Sequence, residues 1–515
     1  MIRRIISLSL LTLAPMAVQA EPAVLYATHC AVCHGDDRLG SVGPALIPES
    51  LRRLKGETLE AVIAQGRVST QMPGFSDQIS AEEIVELAAY LHTPLPEIPV
   101  WDAVRIADTL QVNPAYAAPD APLHEADPLN LFVVVETGDH HLSVVDGDSF
   151  EVLARLPTPL AVHGGPKFTP DGRFVFVMSR DGWVQKIDLW AMQEVARLRA
   201  GVNSRNVAIS KDGQHLAVAN YLPHSLTILS TADLSVEKIF GVVGKSGESS
   251  RVSAVYQAPQ RDSFILALKD IPEIWEVATD PNAEPVYEGF VHSREKGMVE
   301  AIASSEGLFA RRRIEVTEPL DDFFFTPDYR FLIGAARDSD RGVVVNLNVG
   351  RETHELPLSG LPHLGSGISW EHQGRRVMAT PHLREAKLSV IDVETWKVVH
   401  QIETMGPGFF LRSHENSPYL WADVFFGPNR DVMHVIDKET LQIVKTLRPI
   451  PGKTLAHVEF DRAGRHALVS LWEQDGALLI YDARTLEEVK RLPMSKPSGK
   501  YNVFNKITFS DGTSH

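Results

Sequence analysis

Between residue 131 and the end of the chain, one pattern recurs eight times: a polar turn, an alternating apolar strand, a short break, a second strand ending near an acid, then a third strand. Phe168-Thr169-Pro170-Asp171-Gly172-Arg173 leads into strands at 174–179 and 182–189, and Ser210-Lys211-Asp212-Gly213 into 215–220 and 225–230. Further units begin at Phe325-Thr326-Pro327-Asp328, Trp370-Glu371-His372-Gln373-Gly374, Ser413-His414-Glu415-Asn416 and Phe460-Asp461-Arg462-Ala463-Gly464, with weaker copies at 131–156 and 257–278. Eight units in this span average about 48 residues, the period of a multi-stranded propeller blade, which buries its faces against its neighbours. A helical array is excluded, because segments such as Arg173-Phe174-Val175-Phe176-Val177-Met178 are short, β-branched or aromatic, and bounded by turn signals. The ring is expected to close with a strand from 501–509. A propeller is only a scaffold, so function must come from its site.

The amino-terminal part is different. Arg3 and Arg4 precede an apolar run and the exit Val18-Gln19-Ala20, the layout of a secretory leader over 1–20. No later stretch reaches the ~18 apolar residues of a membrane span. The only two cysteines stand in Cys30-Ala31-Val32-Cys33-His34, where two thiols can add to haem vinyl groups and the next imidazole can take the iron. A four-thiolate zinc site is impossible with two cysteines, and a thioredoxin-like pair would not need His34. Between His34 and Met178 the only methionine is Met72, in Gln71-Met72-Pro73-Gly74-Phe75, a plausible second axial ligand. His29 or His92 is the alternative, with Met72 then a packing residue. Helices are expected over 58–64 and 81–92, the second opened by a Ser80/Glu83 capping box. The arrangement resembles a class I cytochrome c, a small all-α domain over 21–93. Pro94, Pro96, Pro99, Pro114, Pro119, Pro122 and Pro128 then mark a surface linker over 94–127, too broken for a continuous helix or central strand. The eight-bladed all-β propeller is expected over 128–515.

A net charge of −16 argues against nonspecific binding to nucleic acid or an anionic membrane. Of the 20 histidines, those just before blade strands matter most, because such loops gather round the central channel: His163, His363 and His457. His382 and His414 are weaker candidates. Arg180 and Arg205 can bind ligand carboxylates through the guanidinium fork, or serve as surface ion pairs.

A c-type cytochrome followed by an eight-bladed propeller resembles the cytochrome cd1 nitrite reductase family, whose propeller holds haem d1. Ala161-Val162-His163 followed by Arg180-Asp181-Gly182 and Ile187-Asp188-Leu189-Trp190 resembles the segment carrying the proximal haem d1 histidine. Pro362-His363-Leu364-Gly365 resembles a distal-pocket segment, and Gly499-Lys500-Tyr501-Asn502-Val503-Phe504-Asn505 the family's ending. One departure separates the branches. The reductases place two distal histidines over the iron, but the segment matching the first reads Pro319-Leu320-Asp321-Asp322-Phe323-Phe324-Phe325-Thr326, without histidine, and its three phenylalanines suggest an apolar wall. The chain is therefore similar to the NirN-type dihydro-haem d1 dehydrogenases. The NirF-type relatives lack the Cys-x-x-Cys-His motif.

That resemblance implies a periplasmic oxidoreductase that converts the propionate of a haem d1 precursor to an acrylate, with covalent haem c receiving electrons for an external cytochrome or cupredoxin. It implies His163 as iron ligand and His363 on the other face as ligand or acid/base. His457 is the next proton acceptor, Arg180 and Arg205 anchor carboxylates, and Tyr501 lines the pocket. The division of labour between His363 and His457 stays open. So do two alternatives, a nitrite reductase working with His363 alone and a non-catalytic haem d1 carrier, and so does transfer of haem d1 to the nitrite reductase.

Overall fold

The computed structural model describes residues 21–41, 43–51, 54–67, 72–97, 100–159, 161–162, 164–287, 304–336 and 339–513. The expected leader lies outside them. Eight antiparallel blades follow one another along the chain, seven of four strands and one of five, and six of them run in sequence order from the channel outward, the first and second being completed by strands from elsewhere. The turn signals that mark them have a common structure. Thr169, Ser210 and Thr326 each bond through the hydroxyl to the acid two residues on, Asp171, Asp212 and Asp328. The same hydroxyls accept the N–H of Phe174, His215 and Phe331 at 2.9–3.0 Å, so each turn is closed by side chains that have no need of solvent.

Middle strands such as Leu131–Glu136 and Ser263–Leu268 are buried throughout, because neighbouring blades cover both faces. Outer strands such as Arg351–Leu356 are largely exposed. Ring closure differs from expectation. The closing strand is Pro497–Asn502, pairing Tyr501 with Val133 on the inner edge of the first blade. Beyond it the chain turns into a helix, Val503–Thr508. Asn502 caps that helix by accepting the N–H of Asn505 at 3.3 Å, so a polar cap ends the strand that apolar alternation alone would have continued.

At the other end, helices Pro22–His29, Ala31–His34, Glu57–Gln65 and Ala81–Leu91 surround a small core that includes Leu25, Leu59, Ile63, Leu87 and Leu91. Ser80 and Glu83 form the expected capping box. The proline-punctuated segment forms a short helix, Ala103–Ala107, and an edge strand, Gln111–Val112, which adds a fifth strand to the second blade opposite Arg197 and Ala196. The cytochrome part docks on the same blade. Leu39, Ala45 and Ile47 share a core with Phe176, Val184 and Leu198, and Arg199 donates to the Leu39 carbonyl at 3.3 Å. Among the described residues no helix is long and apolar enough to cross a membrane.

Candidate functional site

The first centre is local in sequence. Cys30 and Cys33 are free thiols one helical turn apart. The buried His34 ring donates from Nδ1 to the Pro44 carbonyl at 2.7 Å. A carbonyl can only accept, so the neutral ring presents Nε2 as a lone pair, the tautomer an iron ligand requires. A side chain at Gly43 would collide with this ring, so glycine is needed there. These residues fit a covalent haem. Of the alternatives for the sixth position, His92 donates from Nε2 to the Leu54 carbonyl at 2.9 Å, and His29 packs edge-on against Phe75. Met72 sits half-buried in its loop, and its carbonyl accepts the Arg67 N–H at 3.1 Å.

The second centre is assembled from distant segments where the inner strands begin. Val162 bridges Ser179 as Pro362 bridges His382, each following a residue with positive φ, Ala161 and Leu361. These segments belong to the second and sixth blades, four apart in a ring of eight, and so stand opposite across the axis. His163 itself lies outside the described residues. His363 is held as His34 is: Nδ1 donates to the Phe409 carbonyl at 2.7 Å, and Nε2 stays 3.7 Å from Asp322. Burial lowers its pKa, against the opposing pull of Asp322. His457 is an inserted residue in an inner strand, at φ +49° where the register slips between Ala456 and Val458. Such a bulge re-aims a side chain at the cost of backbone strain. Its ring packs 4.7 Å from Phe410 and 5.3 Å from Tyr501, and its buried Nδ1 has no hydrogen-bond partner among the described residues. Burial first, then Lys500, Arg412 and Lys506, hold its pKa well below the ordinary value, so the imidazole is neutral.

One residue that sequence reasoning missed ties the two histidines together. Asp423 accepts the N–H groups of Phe409 and Phe410 at 2.8 and 2.9 Å, and that of His457 at 3.3 Å. Phe409 is the residue whose carbonyl orients His363. Burial pushes the Asp423 carboxyl up to about 6 despite those donors. Its only sequence signal is an acid inside the apolar strand Tyr419–Asp423, where strand-end acids are common throughout the repeats.

On the opposite side of the mouth the walls are cationic. Arg180 and Arg205 are brought together with Tyr221, Arg251 and Lys269. Arg180, Arg251 and Lys269 lie 5.3–6.0 Å from the Tyr221 ring centre. Burial, with Arg205 and Arg67, brings Arg180 down to about 10. Burial alone would raise the Tyr221 pKa, but Arg205, Lys269 and Arg180 outweigh it and lower it. Arg67 belongs to the cytochrome part, so that part approaches the propeller mouth at Arg180.

The expected apolar wall is corrected. Phe323 and Phe325 point into one inter-blade core and Phe324 into another, as strand alternation requires. The segment instead gives the site its two acids. Asp322 accepts from the Tyr256 hydroxyl at 2.9 Å and the Gly365 N–H at 2.7 Å, and Asp321 pairs with Lys269. Tyr501 lies over two glycines. An added Cβ would lie 3.0 Å from the ring at Gly165 and collide with the hydroxyl at Gly499. His382 is fully buried, donating to the Ser359 carbonyl at 2.5 Å and meeting Ser389 at 2.8 Å, while His414 accepts the Asn416 N–H in its turn; both are structural.

A flat ligand bearing carboxylates suits this mouth. Arginines line one side, Phe409, Phe410, Phe425 and Phe426 form a chain of tilted and edge-on contacts at 4.6–6.3 Å on the other, and an oriented imidazole nitrogen is available for a metal. The molecule thus joins a c-type cytochrome to a propeller built for a second tetrapyrrole. The Cytochrome D1 heme domain family matches residues 126–287 and 295–506, and the family of the cbb3-type cytochrome c oxidase subunit III matches 17–91. Dihydro-heme d1 dehydrogenase of Pseudomonas aeruginosa is 50% identical over 99% of this chain and 100% of its own length. Nitrite reductase of Stutzerimonas stutzeri is 27% identical over 94% of this chain and 92% of its own. A solved structure of dihydro-heme d1 dehydrogenase NirN in complex with DHE superposes with a TM-score of 0.81 at 49% identity, covering 95% of this chain and all of that one. The chain belongs to the cytochrome d1 haem-domain family and, within it, to the dihydro-haem d1 dehydrogenases.

Proposed function

We propose that the propeller mouth binds dihydro-haem d1 as substrate and that the protein oxidises its saturated propionate to an acrylate. Two adjacent C–H bonds break and a C=C bond forms, releasing two electrons and two protons. Cys30, Cys33 and His34, with Met72 as the further candidate ligand, would hold haem c, which would supply a one-electron acceptor. Supporting this reading is the pairing of two differently prepared imidazoles, His363 and His457, through one carboxylate, Asp423. His163 remains the candidate ligand for the substrate's iron, and His363, with its oriented Nε2, is the second candidate, as ligand or acid/base. His457 is kept neutral and has no partner on Nδ1 among the described residues, the state a general base needs. Arg180 and Arg205 bind substrate carboxylates, and Tyr501 packs beside His457 to confine the side chain.

The leader-like 1–20 segment supports export, and with it a periplasmic location. There the electrons pass to a small cytochrome or cupredoxin, and the product to the cytochrome cd1 nitrite reductase. The test is anaerobic addition of dihydro-haem d1 and an electron acceptor to the purified protein carrying haem c. The macrocycle spectrum should shift to that of the conjugated acrylate form, and an unchanged chromophore rejects the reading.

A further inference from the structure

Forming the side-chain double bond leaves two protons in a site whose near mouth takes up the substrate and is approached by Arg67 of the cytochrome part. The interior offers another way out. Around Tyr501 the channel holds a polar cluster from five segments: the buried Arg412 in the seventh blade and Glu459 in the eighth, and the half-buried Lys167 in the second blade, Tyr501 in the closing strand and Lys506 in the terminal helix. Arg412 lies 3.8 Å from Glu459, and the other Glu459 oxygen accepts from Asn505 at 3.2 Å and the Phe460 N–H at 3.0 Å. The Lys506 ammonium lies 5.5 Å from the Tyr501 ring centre, and that of Lys167 lies 5.9 Å from the ring of Tyr256.

Lys506, Lys167 and Tyr256 also line a cavity of about 160 Å³ at the opposite end of the channel. Its remaining walls come from the ends of inner strands and the turns after them, including Pro170, Ser210, Lys211, Gln257 and Phe509. At roughly 30 Å³ per molecule it has room for about five waters. Its rim is open to solvent: Phe509 is 39% exposed, and Lys211, paired with Asp262 at 3.0 Å, is more exposed still. One side chain, Lys506, therefore touches both the underside of the site and a solvent-connected cavity.

We propose that this far mouth is the proton outlet of the reaction, with Lys506 passing protons from the His457–Tyr501 side of the site to the cavity and Lys167 sharing that load. The proposal rests on the dehydrogenase reading. Both amines are chemically prepared for it. Burial and then Arg412 bring Lys167 down to about 8, while burial, Arg412 and Lys167 hold Lys506 well below the ordinary lysine range against the pull of Glu459. A neutral amine can accept a proton and release it, which a guanidinium cannot do near neutral pH.

The experiment compares wild type with Lys506→Met, Lys506→Arg and Lys167→Arg, all with haem c attached. It follows dihydro-haem d1 oxidation in single turnovers across pH, in H₂O and D₂O, beside a binding titration. The outlet predicts unchanged substrate affinity and a loss on the order of tenfold to hundredfold in rate for both Lys506 variants. It also predicts a smaller loss for Lys167→Arg, an enlarged solvent isotope effect, and partial rescue of Lys506→Met by methylamine. Wild-type rates and isotope effects in all three variants would overturn it, as would full activity in Lys506→Arg, which retains charge but not proton release. Should Lys506→Met fail to fold, Lys167→Arg and Lys506→Arg decide the matter by the same rates and isotope effects. If wild type itself leaves the substrate unchanged, it is the dehydrogenase reading that fails.

Discussion

At the cytochrome end, five consecutive residues supply two thiols and an oriented imidazole, and one carbonyl, that of Pro44, sets the tautomer. At the propeller mouth the equivalent task is spread over several blades. His363 is oriented by Phe409, Phe409 is held by Asp423, and the same acid holds the strained backbone of His457. Covalent attachment needs little from the rest of the fold. A ligand that must enter and leave needs a surface assembled by distant segments, each fixed by buried hydrogen bonds. The first centre should fail all at once when its motif is broken, and the second should degrade in steps.

Cys30→Ala with Cys33→Ala should give the largest effect. Oxidation should fall by more than about a thousandfold while dihydro-haem d1 still binds, measured by turnover alongside an absorption titration. Delivery of haem d1 undiminished by these changes, with wild type showing no oxidation, would favour the carrier alternative.

His457→Ala should lower the oxidation rate by about 10²–10⁴ with near-normal substrate affinity. His363→Ala should weaken binding itself and change the iron's ligand-field bands. Equal effects on both parameters from the two variants would erase the division of labour drawn between them.

Asp423→Ala removes the acceptor of three N–H groups, and stability should drop by about 2–4 kcal/mol in denaturant titrations. The rate should fall by roughly tenfold through both histidines, with the pH profile of oxidation displaced. Asp423→Asn, which keeps one carbonyl oxygen, should lose less. A variant that is merely unstable but turns over with the wild-type profile would reduce Asp423 to a packing residue.

The smallest effect concerns pH. Burial lowers His382 and His434 from 6.5 to about 4, so the unfolded chain binds protons that the folded one refuses. Stability from these groups is intact above 6.5 and is lost as pH falls from 6.5 toward about 4. The buried Asp423 acts the other way, its carboxyl favouring folding more as it becomes protonated below about 6. The denaturant midpoint should therefore decline modestly across this range, and His382→Gln should flatten part of the decline.

The blades were legible because their turns are coded locally. In three blades a hydroxyl and an aspartate two residues on close the turn with no help from the surroundings. The Cys-x-x-Cys-His centre was legible for the same reason. The propeller site was visible only as separate residues. His363, His457, Arg180, Arg205 and Tyr501 do meet at one mouth, but Asp423 resembles the strand-end acids of the repeats. Lys167 and Lys506 resemble surface charges until the helix after Asn502 turns one of them inward. The Phe323-Phe324-Phe325 run misled because three adjacent side chains in a strand cannot share a face, and their spacing does not say which face borders the channel. The two acids preceding them are what borders the site, through Lys269, Tyr256 and Gly365.

Electrons from a macrocycle in the propeller should reach the haem iron that His34 would hold, beside the Cys30 and Cys33 attachment points. Stopped-flow mixing of oxidised protein with dihydro-haem d1, without oxygen or any external acceptor, tests it most directly. The sharp α-band of reduced haem c should rise in step with binding, to the extent of one electron per protein. A macrocycle that binds fully while haem c stays oxidised would contradict it.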